Sequence, residues 1–145
     1  MGSELYIYAR KPNGKELVMI DWACRSSEMY QRLQHFVQIH DHNIDRVTEQ
    51  DINYIKSKLQ EDIAHYNREY VRLQDRKEMI KTSNSPLSEK IEFYNEIDVQ
   101  ASELIELTYE LQDMNNFMSS LKRIMECKTE IYVGIDDNGE DIELW

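Results

Sequence analysis

The chain has 145 residues, 41% of them hydrophobic and 31% charged, with a formal net charge of −11. That length fits one domain with a modest core, and the apolar content is too high for a disordered chain. The acidic balance argues against direct nucleic-acid binding and against an anionic membrane surface, because phosphate binding needs clustered Lys and Arg.

Met1-Gly2-Ser3-Glu4 runs straight into a strand pattern, so no signal peptide is expected, and no apolar run reaches the roughly 18 residues of a membrane helix. Residues 5–23 read as a β-hairpin around Asn13-Gly14. A two-residue loop there pairs Ala9 with Val18, Ile7 with Ile20 and Leu5 with Trp22, an apolar face. The opposite face carries Tyr6, Tyr8, Arg10, Leu17, Met19 and Asp21.

No glycine occurs between Lys15 and Val133, and Pro86 is the only proline there, so the long middle reads as helix. A short helix is expected over 27–40, with Ser26 or Ser27 as N-cap and Met29, Leu33, Phe36 and Val37 as its apolar stripe. His40-Asp41-His42-Asn43 is a polar break. Thr48-Glu49-Gln50-Asp51 then resembles a capping box with Asp in the fourth place, opening a long helix over 49–81. Thr82-Ser83-Asn84-Ser85-Pro86 is a turn, and a third helix follows over 86–127. So short a turn makes the two long helices antiparallel neighbours. Residues 129–145 read as a second hairpin around Asn138-Gly139. The expected fold class is α+β: N- and C-terminal β-hairpins forming a small antiparallel sheet, one short helix, and a long, coiled-coil-like, antiparallel two-helix arm, all in a single domain.

The third helix carries more apolar surface than one partner covers. Beyond the stripe from Leu87 and Ile91 to Met125 it holds a second set that includes Phe93, Ile105, Leu107 and Phe117. A free two-helix arm would leave that set in water, so these residues are the expected seam of a homo-oligomer, a dimer or higher.

Two further surfaces are candidates for binding. Tyr6, Tyr8, Arg10 and Trp22 on the sheet, with Arg25, Ser26 and Ser27 at the short helix start, combine aromatic faces, guanidinium groups and free backbone N–H groups, which suits a small anionic, nucleotide-like ligand. Tyr and Arg are equally common in protein interfaces, so a protein partner fits the same surface. The second is a carboxylate ridge on the third helix: Glu92, Glu96, Glu103, Glu106, Glu110 and Asp113, with no Lys or Arg from Ile91 to Leu121. It suits a basic protein surface, unless Arg76 pairs with Glu92, Arg72 with Glu96 and Lys58 with Glu110 across the arm, as at coiled-coil flanks.

No catalytic, metal or cofactor motif stands out. His40 and His42 lack further ligands, Asp136–Asp141 fails the spacing of a calcium loop, and Cys24 and Cys127 make neither a zinc set nor a disulfide framework. The reading is a non-enzymatic, self-assembling cytoplasmic protein that sequesters or blocks another molecule. By composition it is analogous to viral inhibitors of host systems. The alternative is an acidic decoy or adaptor for a basic protein.

Overall fold

Alternation of apolar and polar residues makes Glu4–Arg10 the strand β1, with Leu5 and Ile7 buried and Tyr6, Tyr8 and Arg10 on the other face. The computed structural model describes residues 4–24, 31–33 and 44–136, with the backbone alone at 4, 22–24, 44, 135 and 136. In chain order the elements are β1, β2 (Val18–Cys24), β3 (Ile44–Val47), α1 (Glu49–Lys81), α2 (Leu87–Glu126) and β4 (Glu130–Asp136). Residues 31–33 are helical, and Leu33 is buried. The four strands form one antiparallel sheet in the order β2-β1-β4-β3, and α1 and α2 form the helical hairpin. The second strand expected in the C-terminal hairpin, beyond residue 136, lies outside the described residues, as does most of the short helix at 27–40. Neither α1 nor α2 is long and apolar enough to cross a membrane.

The first hairpin turns one step earlier than the Asn-Gly rule suggests. The Gly14 N–H donates to the Lys11 carbonyl at 2.9 Å, so Pro12 and Asn13 occupy the central positions. Asn13 has φ 63°, the left-handed value that a type II turn wants after proline. A two-residue loop at Asn13-Gly14 would pair Pro12 with Lys15, and that pair would need a backbone N–H that proline lacks. Gly14 serves by its bareness, since a Cβ there would stand 3.1 Å from the Lys11 oxygen.

Register follows the expectation at Ala9–Val18 and then departs from it. Tyr8 pairs with Met19, but Ile7 pairs with Asp21, Tyr6 with Trp22 and Leu5 with Ala23. Ile20 is thus the extra residue of a β-bulge, and Trp22 stands opposite Tyr6 rather than Leu5. Val18, Met19 and Ile20 are all exposed, so the apolar face expected on β2 is not a buried one.

The chain divides into two compact units, one running to Lys58 and resuming at Met114, the other Leu59–Asp113. The first holds most of the core: Leu5, Ile7, Ile131 and Val133 from the sheet, Ile52 and Ile55 from α1, and Met118 and Leu121 from α2. The start of α1 is fixed by a reciprocal capping box. The Thr48 N–H donates to Asp51 Oδ2 at 2.8 Å, and the Asp51 N–H to Thr48 Oγ1 at 3.2 Å.

In the second unit only Leu59, Ile97, Ala101 and Leu111 are buried apolar residues among those described. Lys77 Nζ donates to Asp98 Oδ1 at 2.9 Å and lies 5.7 Å from the Tyr94 ring centre, so Lys77 faces the turn from Tyr94 to Asp98 across the arm. In that alignment the first turns of α2 overhang the end of α1. Leu87 and Ile91, expected in the stripe, are consequently exposed.

α2 stops at Glu126, and Lys128 at φ 64° is the left-handed residue that turns the chain into β4, its N–H donating to the Met125 carbonyl at 2.9 Å. A non-glycine residue held there costs roughly 1–2 kcal/mol. Lys128→Gly is therefore expected to raise stability by about 0.5–1 kcal/mol after glycine's own entropic cost, as read by urea unfolding.

Candidate functional site

The outer face of the sheet gathers its polar groups by cross-strand register. Tyr8 stands opposite Tyr132, Arg10 opposite Glu130, and Tyr132 opposite Arg46. Side chains directly opposite in an antiparallel pair lie on one face. Tyr6 and Tyr8, two apart on β1, have ring centres 6.4 Å apart.

Arg10 does not offer its charge outward. Its Nε donates to Glu130 Oε2 at 3.0 Å, and its Nη2 donates both to Glu130 and, at 2.7 Å, to the Tyr132 hydroxyl. Tyr132 passes the bond on by donating to the same Glu130 carboxylate. The guanidinium carbon also sits 5.2 Å from the Tyr132 ring centre. The hydrogen bonds from Tyr132 and then Arg10 hold the Glu130 carboxyl below its ordinary range. Burial, followed by the bond to Glu130, pushes the Tyr132 hydroxyl up.

This cluster changes the account of the first candidate surface. An incoming anion would meet an arginine already neutralised by Glu130. Of the other residues expected there, Trp22 is placed by its backbone alone, and Arg25, Ser26 and Ser27 lie outside the described residues. Sequence reading missed Glu130 and Tyr132 as the partners of Arg10. The missing signal was β4 lying against β1, which no local pattern reveals.

The second unit carries the other candidates. From Gln60 through Glu96 no side chain is buried, although the stretch holds Ile63, Tyr66, Tyr70, Leu73 and Ile80 at seam positions. Large apolar residues stand in the open on both helices, among them Val71, Met79 (73% exposed), Phe93, Ile105 and Tyr109 (64%). Two grooves run between the helices. One, of about 310 Å³, is lined by Asn67, Tyr70, Leu104, Ile105, Thr108, Tyr109 and Gln112 and contains no charged residue. The other, of about 410 Å³, has Tyr66, Leu73, Leu104 and Leu107 as its apolar lining and His65, Glu69, Gln100 and Glu103 along its rim.

The four expected seam residues are thereby separated. Ile105 lines the uncharged groove and Leu107 the charged one. Phe93 stands one heptad before Gln100, on the charged side. Phe117, half-buried, belongs to the first unit.

All six ridge carboxylates are exposed, and none takes part in an ion pair among the described residues. The cross-arm partners expected for them do not form. Arg72 pairs instead with Glu69 on its own helix at 2.9 Å. The ridge resolves into two heptad rows: Glu96, Glu103 and Glu110, of which Glu103 lines the charged groove, and Glu92, Glu106 and Asp113, which share their heptad position with Val99.

Comparison of the chain with protein-family models, curated proteins and solved structures finds no match.

Because the Glu130 carboxyl is held down in the fold, its contribution to stability is present above the ordinary carboxylate range and is lost as pH falls through the depressed value. Glu130→Gln should therefore unfold more readily than wild type at neutral pH. The two unfolding curves should converge in acid, once the pH is below the depressed value, when midpoints are followed by circular dichroism.

Proposed function

We propose that this is a non-enzymatic, cytoplasmic binding protein that self-associates through its helical arm and acts by sequestering or blocking another molecule. The observation that carries the reading is the run from Gln60 to Glu96 without one buried side chain, set beside exposed Val71, Met79, Phe93, Ile105 and Tyr109. Apolar area of that extent on a soluble helix pair marks an association surface. The exposed free thiol of Cys127 agrees with a reducing compartment.

A second reading is favoured by the unpaired outer row. Glu92, Glu106 and Asp113 line the outward side of α2 with no basic residue from Ile91 to Leu121, so a basic protein surface would find both charge and space there. The small anionic ligand at the sheet face draws less support, since Arg10 is already paired with Glu130.

Sedimentation equilibrium tests the leading reading. At micromolar concentration the mass should be twice that of the 17.4 kDa chain or a higher multiple. Leu107→Glu should shift it toward the monomer with helix content unchanged. A wild-type monomer throughout that range would remove the self-association reading.

A further inference from the structure

The charged groove of the arm carries a glutamate on each edge, Glu69 and Glu103, but the helix stretches that continue the two edges differ in net sign. On the α1 edge, Arg72 and Arg76 stand one heptad beyond the groove-lining His65 and Glu69, and Arg68 precedes Arg72 by one helical turn. On the α2 edge, Glu103 lines the groove, with Glu96 and Glu110 one heptad to either side. A heptad returns a residue to nearly the same side of a helix, drifting by only about 20°. All six groups are exposed, and the two rows do not meet within the chain: Arg72 turns to Glu69, and the other five take part in no ion pair among the described residues. Between the rows lies an apolar floor of Leu73, Leu104 and Leu107.

We infer that this groove seats the same groove of a second copy, through a two-fold axis running along the arm, so that paired arms point the same way. The inference rests on the self-association reading and names its face. A two-fold along the arm lays α1 of one copy over α2 of its partner, and each basic row then meets an acidic row. A two-fold across the arm would lay α1 over α1, arginine over arginine, and is disfavoured. The rows also lie at similar heights. Lys77 bonds Asp98 across the hairpin, and equal steps back along α1 and forward along α2 bring Arg72 to within about one helical turn of Glu103, the centre of each row. The contact is isologous and closes on itself. The apolar floor supplies most of the affinity, while the charge rows set partner and direction.

A double-mutant cycle on the dimer tests the pairing with substitutions mild enough to keep the fold. In low salt, Arg72→Gln and Glu103→Gln should each weaken dimerisation about three- to thirtyfold, because each removes two symmetry-related rim pairs. The double variant should be little weaker than the worse single one, and raising salt from about 0.1 to about 1 M should shrink the difference. Strict additivity in the cycle overturns the inference. A second arm reverses whole rows: Arg68→Glu/Arg72→Glu/Arg76→Glu in one protein, Glu96→Lys/Glu103→Lys/Glu110→Lys in the other. Each should be monomeric alone, and an equimolar mixture should give a heterodimer by native mass spectrometry. Two folded variants that stay monomeric together, or stay dimeric apart, also overturn it. Should a reversed protein lose its helix content, the cycle alone decides. A dimer without coupling removes this face and leaves self-association standing, whereas a wild-type monomer removes both.

Discussion

The antiparallel pairing of β1 with β4 is the constraint on which the rest of the first unit depends. It joins Glu4–Arg10 to Glu130–Asp136, from near the opposite ends of the described chain. Closing so long a loop costs entropy that grows slowly with length but must be offset where the ends meet. Both faces of the pair contribute. Leu5, Ile7, Ile131 and Val133 are buried on one, each with roughly 1.5–3 kcal/mol from leaving water, and the Arg10–Glu130–Tyr132 chain ties the other. Among the described residues β4 is also the only strand paired with β3, which has four residues and could not persist alone.

Everything between those strands must leave and return, and two long helices with a short turn do so with mostly local structure. The cost appears in the second unit. Two helices share one seam, and each can bury only the stripe that faces the other. Leu59, Ile97, Ala101 and Leu111 find that shelter, whereas Ile63, Leu73 and Leu104 are only half covered and Val71 and Tyr109 not at all. A pair of helices with apolar residues on both flanks resembles half of a larger bundle in physical terms, which is what supports the proposed self-association.

What could be read from the sequence was what local signals encode. The capping box at Thr48–Asp51 and the proline after the turn marked where the long helices begin, because caps and breakers act over a few residues. Leu5 and Ile7 were legible as core from strict alternation. On β2 the run Leu17-Val18-Met19-Ile20 is apolar without interruption, so it carries no phase, and the bulge at Ile20 could not be foreseen. Lys11-Pro12-Asn13-Gly14 suits two turn types, and the absent proline N–H decided between them. β3 was illegible because Ile-Asp-Arg-Val is too short to show a period and owes its existence to β4. The cross-arm pairs failed for a similar reason: the level of one helix against another depends on how α2 overhangs α1, and side-chain identity at a guessed level says little. Of the candidate surfaces, the ridge was visible as composition, but its division into two rows needed the groove.

That division bears on why so acidic a helix persists. Along α2, Glu92 and Glu96, Glu103 and Glu106, Glu106 and Glu110, and Glu110 and Asp113 are like-charge neighbours three or four residues apart. Each such pair costs an isolated helix about 0.2–0.5 kcal/mol, and no basic residue on α2 from Ile91 to Leu121 offsets it. Arg68, Arg72 and Arg76, which continue the α1 side of the groove, leave the ridge unpaired among the described residues. The repulsion therefore stays available to any positive surface that arrives. A surface reaching over the groove meets Glu96, Glu103 and Glu110 together with the apolar floor. One approaching along the outer row meets Glu92, Glu106 and Asp113, with Val99 the one apolar residue at the same heptad position. The inner row combines charge with apolar area, and the outer row offers little but charge, which salt screens. Under the proposed self-association, lasting contact would draw on the inner row, and salt would weaken any contact made through the outer row alone.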